Sequence, residues 1–293
     1  MRHGIASTVT SVSYLGWRSK RLVTQENMAR VLDLPVSDHR VKRAALSSWS
    51  NYGRTAASLL CLPYLDMRDI LASTEDLTQG TTWQECVEAA VAPQKGVILT
   101  TGHFGSWDLA GAIAARQVPL SAIADTFKDP GLNRLLQGHR RDKGIDIIPS
   151  SAAARRAMRE LLEKKAVAIV IDRPVTRDQG VEVTFFGHKT YVPMGSAALA
   201  VKSGAAIMPG YVWYARGNRY YLRAFPPVFP RPVSNSTERM LEIQRLTQYM
   251  FACQEEVIRL CPTQWFMFRP FWPAGTATAE AAPIVDRLQD QPS

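Results

Sequence analysis

Between positions 96 and 171 the chain alternates short β-branched apolar runs with segments of helical period, and few folds accommodate that order. Runs at 96–100, 120–124, 145–148 and 167–171 read as strands. Helical segments at 83–92 and 130–143, and one capped by Ser150 or Ser151, lie before or between them. Runs that are apolar throughout belong to strands buried on both faces. The predicted fold is therefore α/β, with a mostly parallel central sheet flanked by helices on both faces. In open sheets of this kind ligands gather beyond the carboxyl ends of the strands. The residues that follow each run are the ones to read for chemistry.

The first such position holds the densest signal, Thr100-Thr101-Gly102-His103-Phe104-Gly105-Ser106-Trp107-Asp108. His103 falls in the turn after a strand, and Ser106 is placed to cap a helix carrying Asp108 in its first turn. Inside one helix, residues five apart point about 140° away from each other. With His103 in the loop, the Asp108 carboxylate can reach back to the imidazole, fix its tautomer and leave the other nitrogen as a base near neutral pH. Gly102, Gly105 and Ser106 let a substrate approach the backbone. The same residues also suit a structural histidine and an aspartate favoured by the helix dipole.

Asp172-Arg173 closes a later strand in the same way. The planar fork of Arg173 suits a phosphate or carboxylate, or a bridge to Asp172. Glu182 sits within the apolar run Val181-Glu-Val-Thr-Phe and needs a partner there, for which His103 or Arg173 are the candidates. Phe185-Phe186-Gly187 and the small-residue segment 195–200 offer apolar walls with room between them, although such a segment also packs tightly against a sheet. A strand pair joined at Arg216-Gly217-Asn218 and a long closing helix from 237 to 260 complete the outline.

The net charge of +9 favours an acidic partner, whether an anionic membrane surface, a nucleic acid or a phosphorylated cofactor. Residues 1–54 carry nine Lys and Arg against three carboxylates, so much of the excess is amino-terminal. Residues 1–35 are predicted as a basic helical segment, in which Arg18, Lys20, Arg21 and Arg30, interleaved with Trp17, Leu22, Met28 and Val31, suit either an interfacial helix or a solvated helix packed on the domain. Residues 36–275 are predicted as the main domain and 276–293 as a frayed tail. No run approaches the ~20 apolar residues of a membrane span. Cys61, Cys86, Cys253 and Cys261 lack metal-ligand spacing and read as free thiols. A serine-nucleophile elbow, a Walker loop and a dinucleotide motif are all absent.

His103-Phe-Gly-Ser-Trp-Asp108 resembles the H-x4-D/E motif of the bacterial lipid A biosynthesis acyltransferase family, most closely its phosphatidylinositol mannoside branch. Asp172-Arg173, the stretch 180–187 and 193–200 resemble its second signature. Pro262-Thr-Gln264-Trp265 resembles its carboxyl-terminal block, and positions 18–31 its amino-terminal Arg-rich helix with an Asn. Two positions depart from the pattern: Pro174 follows Asp172-Arg173 where an Asp is usual, and Ser106 stands where the mannoside branch often has Asn. Set against that pattern, the chain is expected to begin late, without the apolar amino-terminal segment that many relatives carry. The resemblance implies a glycerolipid acyltransferase-like sheet and transfer of a fatty acyl group from acyl-CoA or acyl carrier protein to a hydroxyl of a glycolipid or phospholipid. It implies a peripheral enzyme on the cytoplasmic face of the inner membrane, with no cofactor, metal or nucleic acid. His103, Asp108 and Glu182 are the expected catalytic residues, and Asp172, Arg173, Phe186 and Gly187 the substrate contacts. The alternative is a non-catalytic peripheral protein that holds anionic membrane or nucleic acid.

Overall fold

The structure, a computed structural model, describes residues 2–217 and 219–273, and of residues 2–4 the backbone alone. Asn218 of the predicted turn and the predicted frayed tail 276–293 lie outside the described residues. Three helices open the chain: α1 (Arg2–Gly16), α2 (Arg18–Leu32) and α3 (His39–Cys61). Asp38 caps α3 by accepting from the Arg40 N–H. The short helix α4 (Met67–Ala72) and strand β1 (Thr74–Asp76) follow, neither of them foreseen in the sequence, then α5 (Trp83–Val91). A Thr82/Glu85 capping box fixes the start of α5.

The alternating core comes next. It runs β2 (Val97–Thr101), α6 (Trp107–Ala114), β3 (Leu120–Ala124), α7 (Pro130–Arg141), β4 (Ile145–Pro149), α8 (Ala153–Leu162) and β5 (Ala166–Val170). A hairpin, β6 (Val181–Phe185) and β7 (His188–Val192), leads through α9 (Gly195–Ser203) to β8 (Ala206–Tyr214) and β9 (Tyr220–Ala224). The chain then closes with α10 (Ser236–Leu260).

The main sheet has the order β1-β9-β8-β2-β5-β3-β4. From β8 to β4 every neighbouring pair is parallel, and β9 runs antiparallel to β8. The predicted mostly parallel sheet is therefore present. Helices cover both faces. On one, Leu99, Ala122, Ala168, Val212 and Leu222 meet α5 and α6. On the other, Ile98, Val167 and Ile207 pack in one cluster with residues of α8, α9 and α10. Ala197 and Ala200 are wholly buried, which makes the small-residue helix α9 core packing.

Of the two expectations for helix α2, the structure shows the helix packed on the domain. Thr24, Gln25, Asn27, Met28, Ala29 and Val31 are buried, so two of the residues that an interfacial helix would turn to a membrane lie inside. The reason is polar. Asn27 donates to the carbonyls of Met267 and Arg269 at 2.9 and 2.8 Å and accepts from the Phe271 N–H, which seats the helix on the carboxyl-terminal segment. The exposed apolar stripe belongs instead to α1, whose Ile5, Val9 and Val12 are each at least 60% exposed.

Candidate active site

Strand register builds the site. β2 and β5 are parallel neighbours with Thr101 opposite Val170, so two residues beyond each strand His103 and Asp172 come level at the same sheet edge. His103 Nδ1 and Asp172 Oδ1 are 2.7 Å apart, and the His103 backbone N–H donates to the same carboxylate at 2.9 Å. Asp172 is fully buried and also accepts from Gln254 Nε2 at 2.8 Å and Trp265 Nε1 at 3.0 Å. A buried carboxylate needs such partners, and here every one of them favours the charged form.

The loop carrying His103 has little freedom. Phe104 bridges Trp265, the Phe266 N–H donates to the His103 carbonyl at 2.8 Å, and Thr55 of α3 donates to the Gly105 carbonyl at 2.9 Å. Gly105 has a positive φ of 58°, and a Cβ there would collide with the Val212 carbonyl. Ser106 precedes α6, but its side chain makes no cap bond.

The pair's ionisation follows from this setting. Burial alone pushes the imidazole pKa down, but the Asp172 charge and hydrogen bond outweigh it and raise it above its ordinary value. The Arg173 and Arg269 charges oppose that rise. Burial pushes the Asp172 carboxyl up, and the His103 charge, with hydrogen bonds from His103 and Trp265, brings it below the usual carboxylate range. Below its raised pKa, His103 and Asp172 form an ion pair. Above it, the ring is neutral with Nδ1–H held by Asp172 and Nε2 free to take a proton.

Asp108 is not the imidazole's partner, contrary to expectation. The first turn of α6 carries it to α7, where Arg140 Nε donates to its Oδ1 at 2.7 Å. Arg140 Nη1 donates to Gln137 Oε1 at 2.9 Å, and Nη2 is the end left over. Glu182 is displaced too. On β6 it alternates with the inward Val181 and Val183, accepts from Tyr191 Oη at 3.0 Å and pairs with Lys189 at 2.8 Å, and neither His103 nor Arg173 is its partner. Arg173 pairs with Asp125 at 2.6 Å, not with Asp172. Asp172, expected to touch substrate, is sealed behind the histidine.

An apolar cavity of about 450 Å³ opens beside His103. It lies between α5 and α6 and the sheet face carrying Leu99, Ala122 and Ala168, with Asp108, Arg140 and Arg173 among its polar lining. Small residues on both walls, Gly111 and Ala114 on α6 and Ala122 and Ala168 on the strands, leave the space open. Phe186 and Gly187 do not line it. They form the β6–β7 turn, both at positive φ, with Phe186 buried against Trp272 and the Arg259 guanidinium in the cluster on the opposite face of the sheet. Among the described residues no cluster of side chains could hold a metal ion.

A sequence model described as bacterial lipid A biosynthesis acyltransferase matches residues 8–273. The chain belongs to that acyltransferase family. Among curated relatives, the phosphatidylinositol mannoside acyltransferase of Mycobacterium tuberculosis is 28% identical over 271 residues, covering 90% of this chain and 80% of the relative. The protein of the same name from Mycolicibacterium smegmatis is 28% identical over 255 residues, covering 85% and 78%. Among solved structures, the 1-acyl-sn-glycerophosphate (LPA) acyltransferase PlsC from Thermotoga maritima aligns with a TM-score of 0.38 and 14% identity, covering 86% of this chain and 98% of that one.

Within this acyltransferase, four residues of the site escaped the sequence reading in role or altogether: Asp172 as the histidine's partner, Gln254 and Trp265 behind it, and Arg140 on Asp108. The predicted runs end at 100 and 171, so the equal two-residue intervals that bring Asp172 level with His103 emerge only with the strand ends and pairing that the structure sets.

Proposed function

We propose that this chain transfers a fatty acyl group from a thioester donor, acyl-CoA or acyl carrier protein, to a hydroxyl of a glycolipid or phospholipid. The observation that carries the reading is the His103–Asp172 pair at the mouth of an apolar cavity. His103 Nε2 takes the proton of the acceptor hydroxyl while Asp172 holds Nδ1–H and balances the imidazolium. The oxygen attacks the thioester carbonyl, the new C–O bond forms as the C–S bond breaks, and the leaving thiolate takes the proton from Nε2. Arg140, steadied by Asp108 and Gln137, presents Nη2 to the carbonyl oxygen as negative charge develops there. The acyl tail occupies the cavity under α6.

The acceptor comes from a membrane, which the protein meets from one side, in our reading the cytoplasmic face. No helix among the described residues is long and apolar enough to cross one. Two exposed apolar zones support peripheral docking. One is the α1 stripe. The other combines Phe127 of the cavity lining with Leu132 and Leu135 of α7 and Leu60 at the end of α3. The test is thiol release from acyl-CoA with a panel of lipid acceptors, the product identified by mass. The native protein should acylate a lipid, and His103→Ala should lower the rate by roughly 10²–10⁴-fold. Equal rates in both proteins would overturn the reading.

A further inference from the structure

The throat of the cavity carries a polar group that no contact within the fold explains. Thr101 closes β2, two residues before His103. Side chains alternate along a strand, so Thr101 faces the same way as Val97 and Leu99, which join the cluster under α5 and α6, and it lines the cavity. Its Oγ1 is buried and has no hydrogen-bond partner among the described residues. Burying a hydroxyl unpartnered costs free energy, and valine would fill the same β-branched position without that cost. The hydroxyl does have room for a partner. Thr100 pairs with Pro209 of β8, so the next residue, Gly210, comes level with Thr101. Gly210 also lines the cavity, and a Cβ built on it would meet nothing within 4 Å. Open space therefore adjoins Thr101 on the β8 side, while Val170 of β5 stands on the other.

We propose that the Thr101 hydroxyl donates a hydrogen bond to the carbonyl oxygen of the thioester donor, as a second contact beside Arg140; this rests on the acyl-transfer reading above. The placement follows from where the reaction must occur. The acceptor oxygen lies within hydrogen-bond reach, about 3 Å, of His103 Nε2, and the carbonyl carbon it attacks is one forming bond further. With the tail in the cavity, that carbonyl stands at the throat. Thr101 is no more than about 7 Å from His103 along the chain, and of the β2 side chains on that face, Val97, Leu99 and Thr101, it is the polar one. As the new C–O bond forms, the carbonyl π pair moves onto the oxygen, and it returns as the C–S bond breaks. Thr101 keeps its proton throughout and supplies only the hydrogen bond, which strengthens as the oxygen becomes charged. An oxyanion accepts more than one such bond, so the hydroxyl adds to the Arg140 contact and does not replace it.

The experiment compares the native protein with Thr101→Val, Thr101→Ser and Thr100→Val. Thr100 is the internal control, because its hydroxyl is also buried and unpartnered but faces the other way, with Ile98. Thr101→Val removes the hydroxyl and keeps the shape. It should hold or raise the Tm and lower kcat about 10²-fold, the loss expected of one oxyanion donor, with the acceptor KM within about twofold. Thr101→Ser retains the hydroxyl and should stay within about tenfold of native, and Thr100→Val within about twofold. Calorimetry then measures binding of two unreactive acyl-CoA analogues, one a ketone with a methylene between sulfur and carbonyl, the other a thioether without the carbonyl. The preference for the ketone should fall about fivefold in Thr101→Val, the worth of one neutral hydrogen bond, and hold in Thr100→Val. A Thr101→Val kcat within twofold of native, an equal loss in Thr100→Val, or an unchanged ketone preference would each overturn the proposal. Native protein that binds neither analogue would overturn the acyl-transfer reading and the proposal with it. The binding arm reads Thr101 without turnover, so a lost preference supports the contact even where no lipid of the panel is acylated.

Discussion

At the scale of residues, the pH dependence of the reaction is set by one carboxylate. Asp172 raises the His103 pKa, so below it the ring is protonated and cannot act as a base. The acid limb of kcat/KM should therefore lie above histidine's ordinary value of about 6.5. In Asp172→Asn the charge is gone while the burial that lowers the ring pKa remains. The limb should then move to lower pH, with a rate roughly 10²-fold or more below native because the tautomer is no longer fixed. A pH–rate profile of both proteins checks this, and a limb that stays in place would remove Asp172 from its assigned role. The stability linkage has two sides. The raised His103 pKa contributes stability that is full below the unfolded histidine value and is lost as pH rises through the folded one. The depressed Asp172 pKa contributes stability above the unfolded carboxylate value, lost as pH falls through the folded one. Asp108→Asn, by contrast, should leave the acid limb in place and lower kcat by freeing Arg140.

At the scale of elements, the cavity exists because the wall between α6 and the sheet is built from small side chains. Ala168→Leu places extra methylenes into open space, so the fold should accept it while the tail loses room. Each methylene kept out of the apolar wall costs about 0.8 kcal/mol. Excluding two of them should lower kcat/KM for long acyl donors about fifteenfold and spare short ones. A chain-length series of acyl-CoA donors reads this directly. The junction of α2 with the carboxyl-terminal segment carries a different prediction. Asn27→Leu leaves the buried carbonyl of Met267 and the Phe271 N–H without their partner, and each such group costs about 1–3 kcal/mol. The denaturant midpoint should fall by the equivalent of about 2 kcal/mol or more.

At the scale of the whole molecule, the sequence reveals the sheet more readily than the surface. The strand at 120–124 coincides with its predicted run, because an apolar run buried on both faces has few alternatives. The site was half legible. His103 and its position beyond a strand follow from local pattern, but its partner lies 69 residues away and depends on which strands are neighbours. Local spacing favoured Asp108, and tertiary register decided for Asp172. Residues 1–35 were legible as helical, but the apolar stripe of α1 was not, because the Ser and Thr residues between its apolar positions, which bond back to the helix's own carbonyls as Thr10 and Ser11 do, make the stretch read as polar.

That helix carries the last prediction. Residues 1–25 contain Arg2, Arg18, Lys20 and Arg21 and no carboxylate, and the exposed Ile5, Val9 and Val12 repeat at four and three along α1. An exposed apolar stripe within a stretch of sequence whose formal charges are all positive suits an anionic lipid surface. Each such cation near that surface is worth about 1 kcal/mol, and each buried valine about 1.5 kcal/mol or more. Val9→Asp with Val12→Asp removes apolar contact and introduces repulsion without touching α3, since both side chains point outward. Partition onto vesicles containing anionic lipid should fall at least about tenfold, while turnover on a short-chain acceptor dissolved in detergent stays near native. Native binding should also weaken as salt rises, because surface charges are screened. Unchanged partition of the double variant would move the docking face from α1 to the cavity rim, where Leu132→Asp with Leu135→Asp repeats the measurement on the other exposed patch.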